Sequence, residues 1–182
     1  MKELSLNVLD ITKNSTKAGA TLVTIYIQES EDELVISIED NGCGMDEETV
    51  KEVTDPFYTT RTTRKVGMGI PLLKMAAEQT GGYIDIKSVT IDSDGANHGT
   101  KITACFNKKH IDFTPLGDIV STVQLLVQGD PNVDFVYIHD KNSGRVELDT
   151  RELREVLEDV PLNSFEVLSW IGDNLKEQYD SF

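Results

Sequence analysis

Asp10 and Asn14 stand four residues apart, which on a helix puts them on one face about a turn from each other. A carboxylate beside a carboxamide oxygen offers the hard oxygen ligands that suit Mg2+, a cation that keeps several waters and uses few protein groups. The same pair also occurs on plainly solvated helix faces. Asp40 is followed by Asn41, Gly42, Cys43, Gly44 and Met45. An acid at a strand end before Gly-x-Gly can hold an acceptor where the backbone bends closely around a flat ligand, and such a carboxylate can accept a hydrogen bond from an exocyclic amine. A glycine turn built on Asn-Gly is the other reading of these residues. Farther on, Gly67-Met68-Gly69 precedes an apolar stretch of helical spacing. Glycines there let backbone N–H groups and the positive end of a helix face a phosphate. Arg61, Arg64 and Lys65 just before them add mobile positive charge. The chain carries neither a Gly-Lys-Ser/Thr phosphate loop nor a dinucleotide glycine fingerprint.

The elements that must place these residues can be read from periodicity. Leu4, Val8 and Ile11 give a helical stripe over residues 3–17, ending at Ala18-Gly19-Ala20. Thr21 to Gln28 and Leu34 to Glu39 are β-branched and alternating, and the polar residues between them predict a hairpin. Asp46 opens a short helix, Ile70 to Gln79 is a helix with Pro71 in its first turn, and Tyr83–Val89 and Thr100–Phe106 read as paired strands. After residue 107 the pattern restarts: a helix from Pro115 to Val127, a strand from Val133 to His139, and a turn at Asn142-Ser143-Gly144. Asp149 with Glu152, and Asn163 with Glu166, form cap-like starts of two further helices, the first carrying Leu153, Val156, Leu157 and Val160 on one face. Residues 147–182 hold ten acids and three bases.

The whole chain has 182 residues, 38% hydrophobic and 27% charged, with a formal net charge of −15. That composition supports a packed core, and the charge repels nucleic-acid backbones and anionic membranes. No apolar run approaches the ~20 residues of a bilayer span and no leader is evident, so a cytoplasmic location is expected. Two cysteines, Cys43 and Cys105, are too few for a disulfide framework or a metal cage, and Cys43 is expected to fill space in its loop. The acids are unevenly spread. Residues 11–28 and 56–77 together carry six bases and no acid, an arrangement suited to receive an anion, with chance clustering as the other reading.

In this order the motifs resemble the ATP-binding domains of gyrase, heat-shock chaperones of that class, histidine kinases and the MutL mismatch-repair proteins. Asp10-Ile-Thr-Lys-Asn14-Ser-Thr-Lys-Ala-Gly-Ala-Thr21 is similar to the family's N box in its MutL-like wording, and Asp40-x-Gly42-x-Gly44 to the first glycine box. Asp55-Pro-Phe-Tyr-Thr-Thr-Arg61 resembles the phenylalanine box and the start of the lid in histidine kinases, Gly67-Met68-Gly69 the second glycine box, and Gly99-Thr100 the late Gly-Thr before a strand. The resemblance covers residues 3–106. It implies an α+β fold, a two-layer sandwich in which a mixed sheet is covered on one face by helices (the Bergerat-type ATP fold). Residues 1–107 would form the ATP-binding domain and 108–182 a small, acidic α+β C-terminal appendage.

The resemblance further implies ATP and Mg2+ as cofactors, with Asn14 as metal ligand. Asp40 would bind the adenine amine, assisted by Thr100. Gly42, Gly44, Gly67, Met68 and Gly69 would bring backbone to the nucleotide, and Arg61 would reach the γ-phosphate from the lid. Hydrolytic relatives carry Glu where this chain has Asp10, one methylene shorter, which reduces the reach of a general base. The expected activities are phosphorylation or switching of a protein partner, with a non-catalytic ATP sensor and a slow ATPase as alternatives, and a homodimer is left open. His110-Ile-Asp-Phe-Thr-Pro-Leu116 echoes a kinase phosphoacceptor box, but it follows the ATP motifs and is read as coincidence.

Overall fold

The computed structural model describes residues 3–54, 68–91 and 97–182. Its elements are α1 (Ser5–Lys17), β1 (Leu22–Glu29), β2 (Glu33–Asp40), α2 (Glu47–Val53), α3 (Gly69–Gln79), β3 (Tyr83–Val89) and β4 (Gly99–Asn107), then α4 (Ile119–Gly129), β5 (Asp134–Lys141), β6 (Gly144–Asp149), α5 (Thr150–Leu157) and α6 (Phe165–Asp180). Six strands form one sheet in the order β3-β4-β2-β1-β5-β6. All neighbours are antiparallel except β1 and β5, which run parallel with Ile25 opposite Tyr137. The fold is α+β, a mixed sheet with helices over one face, as the motifs predicted. Residues 108–182 continue the sheet that begins with β1.

The strand sequences dictate which face is covered. Val23, Ile25 and Ile27 on β1, Leu34, Ile36 and Ile38 on β2, and Phe135 and Tyr137 on β5 are buried, while their alternate neighbours Thr24, Tyr26, Val136 and Ile138 are half-buried. With a period of two, each strand turns one set of apolar side chains toward the helices. Leu4, Val8 and Ile11 of α1, Leu73 of α3, and Val123 and Leu126 of α4 meet them in a single core. Burying a side chain of this size stabilises by roughly 1.5–3 kcal/mol.

Helix α1 is wedged between α3 and α4, and its first turn has no side-chain cap. Instead Leu4 N–H donates to Pro115 O (2.9 Å) and Ser5 N–H to Leu116 O (2.8 Å). This corrects the expected helix from Pro115: Pro115 and Leu116 spend their carbonyls on the start of α1, and α4 starts after Asp118, whose side chain accepts from Ser121 N–H. At the other end of α1, Lys13 forms a 2.5 Å ion pair with Asp130. The helix expected to start from a cap at Asn163 begins one residue later, after Ser164, which makes no side-chain cap bond. Strand β6 was not foreseen at all. Among the described residues, no helix is long and apolar enough to cross a membrane.

His139, buried on β5, joins three elements. Its Nε2 lies 3.0 Å from Glu29 Oε2 and its Nδ1 2.7 Å from Tyr179 Oη, which in turn lies 2.6 Å from Tyr137 Oη. A neutral ring donating from Nε2 to Glu29 and accepting at Nδ1 from Tyr179 satisfies every member, with Tyr137 donating to Tyr179. Burial holds the His139 pKa below its ordinary value, against the pull of Glu29. The unfolded chain therefore binds a proton below about pH 6.5 that the folded chain rejects. Stability is expected to fall as pH drops through that window, with a slope of at most about 1.4 kcal/mol per unit from this group. Thermal melts between pH 7 and 5 check it: His139→Gln should flatten the dependence, and an unchanged slope would remove His139 as its source.

Candidate functional site

The site assembles where β2, β4 and α1 converge. Register sets Asp40, the last residue of β2, opposite Thr100 on β4. The carboxylate takes three donors. Oδ1 accepts from Gly42 N–H (2.9 Å) and Thr100 N–H (3.2 Å), and Oδ2 accepts from Ser15 Oγ (2.6 Å). Ser15 is buried on α1, next to Asn14. The helix that carries the candidate metal ligand thus holds the candidate purine-reading acid directly.

Behind this pair the two sequence boxes fasten each other. Asn41 Oδ1 accepts from Thr21 N–H (2.9 Å) and Leu22 N–H (3.0 Å), and its Nδ2 donates to Thr21 Oγ1 (2.9 Å). Cys43 N–H donates to Ala18 O (3.0 Å). Residues 18–22 and 40–43 therefore hold one backbone geometry between them. Gly44 has a φ of +70°, and a Cβ there would collide with the Val89 carbonyl. Its close approach to the chain's own β3 end is by itself a reason for glycine at this position. Cys43 is exposed and does not fill space. His98 Nδ1 lies 2.6 Å from Gly42 O.

Thr100 belongs to a hydroxyl relay. Ser88 Oγ accepts from Met45 N–H (2.7 Å) and lies 3.1 Å from Gly99 O and 2.8 Å from Thr100 Oγ1. If Ser88 donates to the Gly99 carbonyl, the Thr100 proton goes to Ser88, and lone pairs on Thr100 stay free to accept.

Asn14 is half-buried on α1, and its Nδ2 is buried with no hydrogen-bond partner among the described residues. A buried amide donor left unpaired among the described residues is unusual; as an N–H₂ it does not ligate a cation, so a metal role for Asn14 rests on its oxygen. Asp10, one turn earlier, is exposed. Gly69 opens α3 against Asp10 and Ile11, and its carbonyl accepts from the buried Asn7 Nδ2 (3.3 Å). Met68 precedes it, half exposed, and gives α3 no side-chain cap. The structure thus brings together Asp40, Gly42, Thr100 and α1 with Asn14. It seats Gly69 on Asp10 and gives Gly44 a packing role. Arg61 and Gly67, with residues 55–60, Arg64 and Lys65, lie outside the described residues.

Three residues of the site escaped the sequence reading. Ser15 had a signal in the Asn-Ser wording of the N box. Ser88 and Asn7 had none, since their partners lie 12 and 62 residues away and are set by register and helix packing.

Residues 1–110 match the family described as histidine kinase-, DNA gyrase B- and HSP90-like ATPase. Sensor protein SrrB of Staphylococcus aureus (strain NCTC 8325 / PS 47) is 34% identical over 93 residues, covering 48% of this chain and 16% of that protein. The chain therefore spans about a sixth of the length of such curated relatives. Among solved structures, the Aquifex aeolicus MutL ATPase domain complexed with ADP superposes with a TM-score of 0.56 at 15% identity, covering 87% of this chain and 70% of that one. The N-terminal domain of a DNA repair protein gives 0.56 at 14% identity over 82% of this chain and 52% of that one. These two likenesses are likenesses of fold.

Proposed function

The chain belongs to the histidine kinase-, DNA gyrase B- and HSP90-like ATPase family, and from that premise we propose that it binds ATP with Mg2+ and uses it to phosphorylate or switch a protein partner. The observation that carries this reading is the three-times-bonded Asp40, held in place by Ser15 of the same helix that carries Asn14. Asp40 accepts the adenine amine, and Thr100 stands beside it as a second acceptor. Asn14 supplies a carboxamide oxygen to Mg2+, which when bound would neutralise phosphate charge. Met68 and Gly69 at the start of α3, with Gly67 before them, offer backbone N–H groups to phosphate oxygens, and Arg61 adds positive charge at the terminal phosphate. Asp10 is the candidate base.

The domain division is part of the same proposal, residues 1–107 binding nucleotide and 108–182 serving the partner, in the cytoplasm. The exposure and short reach of Asp10 favour a second reading, an ATP sensor that leaves the nucleotide intact. Incubation with γ-labelled ATP separates them: label on a protein supports the kinase, free phosphate the ATPase, and unchanged nucleotide with measurable binding the sensor.

Asn14→Ala tests the metal assignment. The parent should bind ATP more tightly with Mg2+ than with EDTA, and the variant should lose most of that difference while still melting as a folded protein. Equal metal dependence in both would place the cation elsewhere.

A further inference from the structure

The last two helices leave several apolar side chains partly exposed. Of α5, only Thr150 is buried: Leu153 and Leu157 are half-buried, and Val156 is 81% exposed. Between α5, α6 and the β5–β6 edge lies a cavity of about 470 Å³, with Val136, Ile138, Leu153 and Trp170 among its walls. Trp170 is 49% exposed there. Half-exposed aromatic and aliphatic groups around a preformed cavity are what an interface anchor fills.

The edge of β6 and the local charge say what fills it. Gln178 donates from Nε2 to Glu147 O (2.9 Å) and accepts at Oε1 from Glu147 N–H (2.8 Å). A side-chain amide thus stands where an added strand would pair, so the occupant enters through its side chains. Glu152 lies at the cavity, and of the ten acids in residues 147–182 only Glu147 and Asp149 are ion-paired, to Arg145 and Arg151, among the described residues. A second copy of this chain, at a net charge of −15, is repelled from such a face, as are nucleic acids and anionic lipids. A cationic segment is drawn to it.

We propose that this groove docks a basic segment of another protein, which seats a large apolar side chain against Trp170 and Leu153 and sets Lys or Arg against Glu152 and the unpaired acids of α5 and α6. The reading is independent of the nucleotide site, so its test uses the full chain without nucleotide. Trp170 is the only tryptophan in the sequence, and its emission reports the groove alone. The probe is a short Lys/Leu peptide with leucines at helical spacing. It should shift the Trp170 emission saturably, more weakly as salt rises, and a Glu/Leu peptide of the same pattern should do nothing. Glu152→Lys, on an exposed residue, should weaken the Lys/Leu peptide about tenfold without changing the melting curve much, and Leu153→Ala, at a residue half-buried against the core, should weaken it with a lower melting temperature. The proposal is overturned if the emission does not move. It is equally overturned if the Glu/Leu peptide or anionic vesicles act as well as the Lys/Leu peptide, or if emission tracks a concentration-dependent dimer instead.

Discussion

Asp40→Asn is expected to weaken ADP and ATP binding about a hundredfold and to turn the site's preference from adenine toward hypoxanthine. The argument is a count of lone pairs. Oδ1 of Asp40 already accepts two N–H groups, from Gly42 and Thr100, and Oδ2 accepts the Ser15 hydroxyl. Each carboxylate oxygen has room for two donors, so one acceptor position remains, on Oδ2, and an adenine amine takes it. In the variant the amide nitrogen cannot replace Oδ1, where it would face two N–H donors. It replaces Oδ2, the serine hydroxyl rotates to accept, and an N–H₂ now points at the adenine amine. Losing a hydrogen bond to a charged group and gaining a donor–donor contact costs about 3 kcal/mol, close to a hundredfold in affinity. The hypoxanthine carbonyl accepts from that N–H₂, so inosine diphosphate should lose far less. Calorimetry with both nucleotides on the folded variant decides it. Unchanged ADP affinity, or equal losses for the two bases, would remove Asp40 from base recognition.

The identity of this acid was legible in the sequence, and the reason for its strength was not. Asp40, Gly42 and the helix bearing Asn14 announce themselves through local spacing: a strand period of two that ends in Asp-Asn-Gly, and a helical stripe through Leu4, Val8 and Ile11. The three donors to Asp40 come from residues 2, 25 and 60 positions away, and only the finished sheet brings the latter two to it. The same limit explains the errors downstream. Strand β6, Gly-Arg-Val-Glu-Leu-Asp, is short and charged on its outer face, and it becomes a strand because β5 offers it an edge in the register His139 to Val146. Pro115 suits the first turn of a helix, but the N–H groups at the start of α1 claim the Pro115 and Leu116 carbonyls. The parallel pairing of β1 with β5, 112 positions apart at Leu22 and Asp134, leaves no local trace. It is also what makes residues 108–182 part of the same sheet as the nucleotide motifs.

Gly99→Ala should cost about 3 kcal/mol of stability and should weaken adenine binding at the same time. Gly99 opens β4 with a φ of +132°, a conformation that side-chain-bearing L-residues rarely adopt, and its missing Cβ would lie inside the contact distance of the Asp40 carbonyl oxygen and against Asn41 Cα. Both neighbours are backbone, so no rotamer change relieves the overlap. Either β4 leaves its register or the end of β2 moves. The conformational strain alone is roughly 1–2 kcal/mol, and displacing two paired strand ends brings the total into the range of severe core defects. For a chain of this length each kcal/mol lowers the melting temperature by about 2–4 °C, so a drop near 10 °C is expected. The backbone that must shift is the backbone that carries Asp40 and the Thr100 N–H donated to it at 3.2 Å, which ties stability to base recognition in one substitution. Gly19→Ala supplies the contrast. Gly19 also has a positive φ, +80°, but a Cβ there meets nothing within 4 Å, so only the strain of about 1 kcal/mol should appear, with nucleotide affinity intact. If the two variants melt together, the crowding at Gly99 is relieved without cost and the late Gly-Thr pair is not what holds Asp40 in place.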